Sequence, residues 1–238
     1  MGEFDGFGAL SFDCYGTLID WERGLSAELG RWATAHDLTA PTAELLDAFG
    51  RSENEIERDH PTARYPDVLA MTLDRIAEQF GVRATEDERA AFGGSVGTWP
   101  AFADSPEALA RLKQRFKLII LSNVDRDSFA ASNERLGVEF DLIITAEDVG
   151  SYKPSPKNFE ALLEAIGGIG ITKAQLLHVA QSLYHDHEPA AAFGLPSVWI
   201  DRRRDQPGAG ATPPPAISVS PRWTFPSLAT FADAATAA

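Results

Sequence analysis

Five short apolar runs limit what this chain can fold into: 8–12 (GALSF), 116–121 (FKLIIL), 140–145 (FDLIIT), 176–180 (LLHVA) and 196–200 (PSVWI). Each is bounded by turn residues and has the length of a strand buried on both faces, as in parallel sheets. Helical patterns with clear start signals lie between the later runs. Ser105-Pro106-Glu107 offers an N-cap, a first-turn proline and a first-turn acid, followed by Leu109, Leu112 and Phe116 on one face. Ser155-Pro156 repeats the device before Phe159, Leu162, Leu163 and Ile166, and Pro189 opens a short helix that Gly194 would end. Strands alternating with helices of this length require right-handed crossovers. The expected class is therefore α/β, with a doubly wound parallel sheet.

The interval between the first and second runs has a different character. Residues 22–98 read as helical throughout, with Leu69, Leu73, Ile76 and Phe80 at i, i+4, i+7 and i+11. A module inserted there sits over the carboxyl end of the first strand, where open α/β sheets bind ligands. The expected division is an α/β core over 1–21 and 99–238 and a helical cap over 22–98. PGAGATPPPA (207–216) reads as a surface loop before a last weak strand, and the tail ADAATAA as frayed.

Charge and cysteine content narrow the setting. The formal net charge of -14 argues against nucleic acid or an anionic membrane as a partner, and leaves a small anionic substrate open. Cys14 is the only cysteine, so no internal disulfide forms and a reducing compartment fits. No basic-then-apolar leader opens the sequence, and no apolar run reaches membrane-spanning length, so a cytoplasmic protein is expected.

Four segments follow the strand ends and should converge: Asp13 with Tyr15 and Thr17, Ser122-Asn123, Lys153-Pro154, and Ser182 through Asp186. With FDCYGTL, LSN, YKP and HVAQSLYHD in that order, nearly the whole chain resembles the haloacid dehalogenase superfamily, and its 2-haloacid dehalogenase branch in particular. The resemblance implies a Rossmann-like core with an inserted cap, and Asp13 as nucleophile. Superfamily phosphatases carry a second acid two positions after the nucleophile and paired acids for Mg²⁺ in the last motif. Here Tyr15 stands at the first position and Ala180-Gln181 where the metal cluster would begin, with Asp186 remaining.

Those departures have a physical meaning. A phosphate dianion meeting an aspartate is repelled by about 4 kcal/mol per charge pair about 4 Å apart at an effective dielectric near 20. Uncancelled, that slows reaction by roughly three powers of ten, and phosphatases cancel it with a metal. A halide leaves as a stable anion and needs no proton. A lone Asp13 therefore suits displacement of halide from a short 2-haloacid such as a haloacetate, by inversion, through an aspartyl ester that water hydrolyses. No cofactor is expected.

The resemblance assigns the remaining roles. Lys153 would keep Asp13 ionised. Ser122 and Asn123 would bind substrate carboxylate or halide, Thr17 would hydrogen-bond the nucleophile or its turn, and Asp186 would orient or deprotonate the hydrolytic water. Tyr15 would be a pocket wall. Arg51, in AFGRSENEIE, matches a cap arginine that contacts the carboxylate, a task suited to a guanidinium. The family tyrosine six positions after the lysine is Phe159 here, which fits core packing. His185 and His187 flank Asp186 without a convincing metal-ligand set, and a part in water activation or halide release stays open for them. The implied partners are a small haloacid and water, with a homodimer left open.

Other readings remain at this point. One is a Mg²⁺-dependent phosphatase of small phosphate esters, with Asp13 and Asp186 on the metal. Another is a binding protein that kept the scaffold without turnover. Single residues also have plain structural roles: Asp13 as a cap of the Gly-Thr bend, Asp186 as an N-cap near Pro189, Arg51 on a solvated face.

Overall fold

The computed structural model describes residues 2–205, 211–212, 214–215 and 217–237. The five apolar runs form β1 (Ala9–Phe12), β2 (Lys117–Ser122), β3 (Leu142–Thr145), β4 (Leu176–Ala180) and β5 (Ser197–Ile200), and β6 (Trp223–Phe225) joins them. All pair in parallel in the order β3-β2-β1-β4-β5-β6. The chain winds outward from β1 to β3 and then returns to β4 on the other side of β1. The switch in winding direction thus lies between β1 and β4, where such sheets open a crevice at their carboxyl edge. Phe12 is in register with Ile120 and Val179, and the Asp13 N–H extends the ladder to the Val179 carbonyl at 3.1 Å. Asp13 therefore stands at the centre of that edge.

Helices α1 (Trp21–Ala35), α2 (Thr42–Asp59), α3 (Tyr65–Gln79) and α4 (Glu86–Gly93) fill the interval between β1 and β2. Each has a local reason to form. Val68, Leu69, Thr72, Leu73 and Ile76 make the buried face of α3, and a Thr85–Glu88 capping box starts α4. The two ends of this stretch run side by side: Ile19 bridges Ala101, and the Asp20 N–H reaches the Pro100 carbonyl at 2.8 Å. Gly24 permits the close approach of α1, because a Cβ there would lie 2.4 Å from the Trp99 ring. One apolar cluster runs from the sheet into the helices, through Phe12, Leu18, Leu25, Phe49, Leu69 and Trp99.

The sheet is flanked by α5 (Ser105–Lys113), α6 (Arg126–Leu136), α7 (Ala146–Val149), α8 (Pro156–Ala165), α9 (Glu188–Ala192) and α10 (Leu228–Thr236). Two expectations are corrected. The cap position of α5 is Asp104 and not Ser105, whose hydroxyl instead donates to the Leu18 carbonyl at 2.9 Å. The tail is not frayed: Leu228, Phe231, Ala232 and Ala235 form the buried stripe of α10, which packs on α5. Much of the expected loop 207–216 lies outside the described residues.

Candidate active site

The turn after β1 is shaped by Gly16, at φ +93°, which brings Thr17 back beneath Asp13. The Thr17 hydroxyl donates to Asp13 Oδ2 at 2.7 Å and accepts the Gln181 N–H at 2.9 Å, joining the loops after β1 and β4. Lys153 arrives from the loop before α8, with only 2% of its surface exposed. An ammonium has three donors, and all three are engaged: with Asp13 Oδ1 at 3.0 Å, the Leu121 carbonyl at 2.9 Å and Asp186 Oδ1 at 2.7 Å. Asn123 fixes the Lys153 backbone, donating to its carbonyl at 3.0 Å and accepting its N–H at 2.6 Å. The amide expected to meet substrate thus holds the lysine with its oxygen and one of its two N–H groups.

Asp186 sits fully buried in a π-type turn, Leu183–His187, in which the Ser182 hydroxyl accepts the His185 N–H at 2.9 Å. It caps no helix itself. His178 Nε2 lies 3.0 Å from Asp186 Oδ1, and His178 Nδ1 lies 2.9 Å from the Ser11 hydroxyl. An ionised carboxylate only accepts, so Nε2 carries the hydrogen of the first contact. Asp186 Oδ2 is buried without a partner.

The two carboxylates that share Lys153 differ in acidity. Burial opposes ionisation of Asp186, but the charge of Lys153 and the His178 hydrogen bond outweigh it and hold this carboxyl well below the usual range. At Asp13 burial prevails over the pull of Lys153 and Thr17, which lifts the carboxyl and makes it the more basic of the pair. For Lys153, burial is outweighed by both carboxylates, and its ammonium is held above its ordinary value.

Burial pulls His185 down to about 4, leaving a neutral imidazole with Nδ1 3.2 Å from the Ser182 hydroxyl and Nε2 buried without a partner. Both nitrogens of His187 are engaged, with Ser197 Oγ at 2.8 Å and the Ala180 carbonyl at 2.9 Å. His187 therefore ties β4 to β5, and the open role falls to His185.

A cavity of about 50 Å³ lies where these groups meet, with Asp13, Tyr15, Asn123, Lys153, His185 and Asp186 in its wall. The Tyr15 hydroxyl is paired with Ser132 Oγ at 2.8 Å, and its ring packs edge-on to Trp99. Ser122 ends β2 with a buried, unpartnered hydroxyl but is not part of the wall.

The helical side is where expectation and structure differ. Arg51 pairs with Asp47 on the exposed face of α2 and does not reach the cavity. Instead α2 presents Glu53 and Glu57, joined by Trp21 and Tyr65. The reason is angular: two residues of α-helix turn about 200°, so Arg51 points away when Glu53 points inward. Leu45, Phe49, Glu53 and Glu57 recur every four residues, and that stripe was the readable signal. His178 and Ser11 were also missed, because each stands inside an apolar run. Phe159 is fully buried, with its ring centroid 5.2 Å from that of His178 in an edge-on contact.

The donor set does not fit a divalent cation. Lys153 Nζ occupies the facing oxygens of Asp13 and Asp186, and no group of three or more His, Cys, Asp or Glu among the described residues could hold a metal.

The profile of the haloacid dehalogenase-like hydrolases matches residues 7–194. The chain belongs to this family. Among relatives of this hydrolase, the (S)-2-haloacid dehalogenase of Pseudomonas sp. strain YL is 25% identical over 208 residues, 81% of this chain and 82% of that one. The haloacid dehalogenase-like hydrolase domain-containing protein 3 of Mus musculus is 26% identical over 80% of each chain. A solved defluorinating L-2-haloacid dehalogenase superposes with a TM-score of 0.79, 19% identity and coverage of 97% and 96%, a likeness of fold. The α/β doubly wound architecture expected from the apolar runs is the family's own. No helix among the described residues is long and apolar enough to cross a membrane.

Proposed function

We propose that this hydrolase displaces halide from a short carbon chain, with Asp13 as the attacking group. The observation that carries the reading is a raised, buried carboxylate on a small cavity, its ammonium partner Lys153 shared with Asp186, and no acid at Tyr15 or Gln181.

In the first step an Asp13 oxygen bonds to carbon while the carbon–halogen pair leaves with the halide. This forms an aspartyl ester and needs no proton donor. His185 Nε2, neutral and unpartnered, offers an N–H for the departing anion. In the second step water adds to the ester carbonyl, the alcohol leaves, and Asp13 regains its carboxylate with one oxygen from water. Asp186 Oδ2 orients that water; its low proton affinity makes it a poor base, so the net proton passes to solvent.

The cavity suits a small substrate. One water needs about 10–15 Å³ of such space, so about 50 Å³ admits roughly four water-sized groups, the bulk of a two-carbon halide. Helices α1 to α4 would act as the cap, contributing Trp21, Glu53, Glu57 and Tyr65. A cytoplasmic setting suits the single buried Cys14. The expected partner of a substrate carboxylate, Arg51, lies outside the cavity, so the reading is made for the carbon–halogen bond and not for an acid group.

A single turnover in ¹⁸O-water, with enzyme in excess, tests the reaction. The heavy oxygen should enter the peptide that contains Asp13 and leave the alcohol unlabelled. Label in the alcohol would mean direct attack by water.

His178 acts through Asp186 and is a positioning residue. His178→Phe should slow ester hydrolysis at least about tenfold while sparing ester formation, at a cost of about 1–3 kcal/mol in stability. Intact mass spectrometry should then show the covalent adduct accumulating. A purely structural role would slow both steps alike and show no adduct.

A further inference from the structure

Resting on that reaction, the geometry points to a substrate whose second polar group is a nitrogen donor, a primary amide or an ammonium seated against Glu53 and Glu57, and not a carboxylate. The two glutamates lie one turn apart on α2, 8% and 6% exposed, in the wall of the cavity that also holds Asp13. Tyr65 donates to Glu53 at 2.6 Å, and Asn123 Nδ2 stands at 3.4 Å from Glu57, the limit of a hydrogen bond. Asp186 Oδ2, buried and unpartnered, is a further acceptor in the same wall.

The Lys153 ammonium and both tyrosine hydroxyls of the wall are already engaged. The unpartnered donor that remains, His185 Nε2, belongs to a neutral imidazole that brings no positive charge to an acid group. Lys153 has no N–H to spare, the Tyr65 hydroxyl serves Glu53, and the Tyr15 hydroxyl is paired with Ser132. Among the described residues Lys153 is the only Lys or Arg in the wall. Positions 206–210, 213 and 216 carry no charged side chain. Arg58 and Lys157 line an adjoining cleft that shares Glu57 and Lys153, and the Arg58 side chain is 72% exposed.

Charge points the same way. Asp13 and Asp186 outnumber Lys153 by one before either glutamate ionises, so a substrate carboxylate would add like charge to a buried site. An amide adds none, and an ammonium cancels it. Burial raises Glu53 to about 7 and lifts Glu57 as well, so both hold their protons more tightly than an exposed glutamate. A cationic or N–H donor seated against them would favour the ionised form. With a 2-haloamide the balance is simple: Asp13 displaces halide, water frees a 2-hydroxyamide, and one proton is released.

Three two-carbon substrates decide the matter: chloroacetate, chloroacetamide and 2-chloroethylammonium, with halide release measured at pH 7.5 and alkylation background taken from Asp13→Asn protein. One nitrogen compound should exceed chloroacetate in kcat/KM by roughly tenfold or more, and Glu53→Gln or Glu57→Gln should collapse that ratio. Preference for chloroacetate overturns the inference and leaves halide displacement standing, with the glutamates acting as neutral acids toward a carboxylate. If none of the three releases halide, the reaction fails, and ligand-observed NMR with propionamide, propylammonium and propionate still judges the pocket. Binding of a nitrogen ligand alone supports the assignment; binding of propionate, equal binding of all three, or none overturns it.

Discussion

Asp13→Asn should leave a folded protein that releases halide at least about 10⁴-fold more slowly, the scale seen when an obligatory nucleophile is removed. The amide keeps the shape of the carboxyl and loses its charge. Its oxygen can still accept from Lys153, and its NH₂ can approach the Thr17 hydroxyl in place of Oδ2. Stability should change little, because ionising Asp13 in the native state works against burial, and the variant has no such charge to desolvate. A halide electrode and a thermal melt together check the expectation. Activity within tenfold of the parent, in a protein of similar Tm, would show that carbon is attacked by something other than Asp13.

Lys153→Met should be the most destabilising single change near the site. It leaves two buried carboxyls facing one another without a cation, and breaking such a pair from one side costs about 3–5 kcal/mol. One carboxyl must then take up a proton, and Asp13, the weaker acid, takes it, which silences the nucleophile near pH 7. The acid limb of the activity profile should move to higher pH. The stability profile carries a second sign. In the parent, Asp186 titrates below its unfolded value, so its contribution is fully present above the ordinary carboxylate range and is lost as pH falls from that range towards the group's own lower value. Without Lys153 that acid-side loss of Tm should flatten. An unchanged Tm between pH 3 and pH 8, relative to the parent, would remove Lys153 from this role.

How much of this was legible in the residues depends on what had to be known first. β1 to β5 were readable because strands buried on both faces need unbroken apolar runs, and those runs stand out between turn residues. Parallel strands then carry whatever follows them to one edge. That is why Asp13, Asn123, Lys153 and Asp186 share a cavity although spread over most of the chain. Ser122 is one residue too early, still in the strand. His178 was hidden by its own surroundings, since a histidine in LLHVA reads as a tolerated core residue until its ring is seen between Ser11 and Asp186. On α2 the choice between Arg51 and Glu53 is a rotation about the helix axis, and a resemblance that aligns the helix does not determine its phase. The α10 stripe was missed because small alanines read as polar-tail composition until Leu228 and Phe231 are placed on the same face.

One ammonium ties together position 13 just after β1, position 121 within β2 and position 186 in the turn after β4, through a side chain that itself belongs to a fourth segment. Such a knot has no local precursor: no fragment of the polypeptide contains enough of it to be competent alone. Loss of turnover on heating or in denaturant should therefore superimpose on the global transition and not precede it. The reaction centre is as durable as the sheet that carries it, and no more.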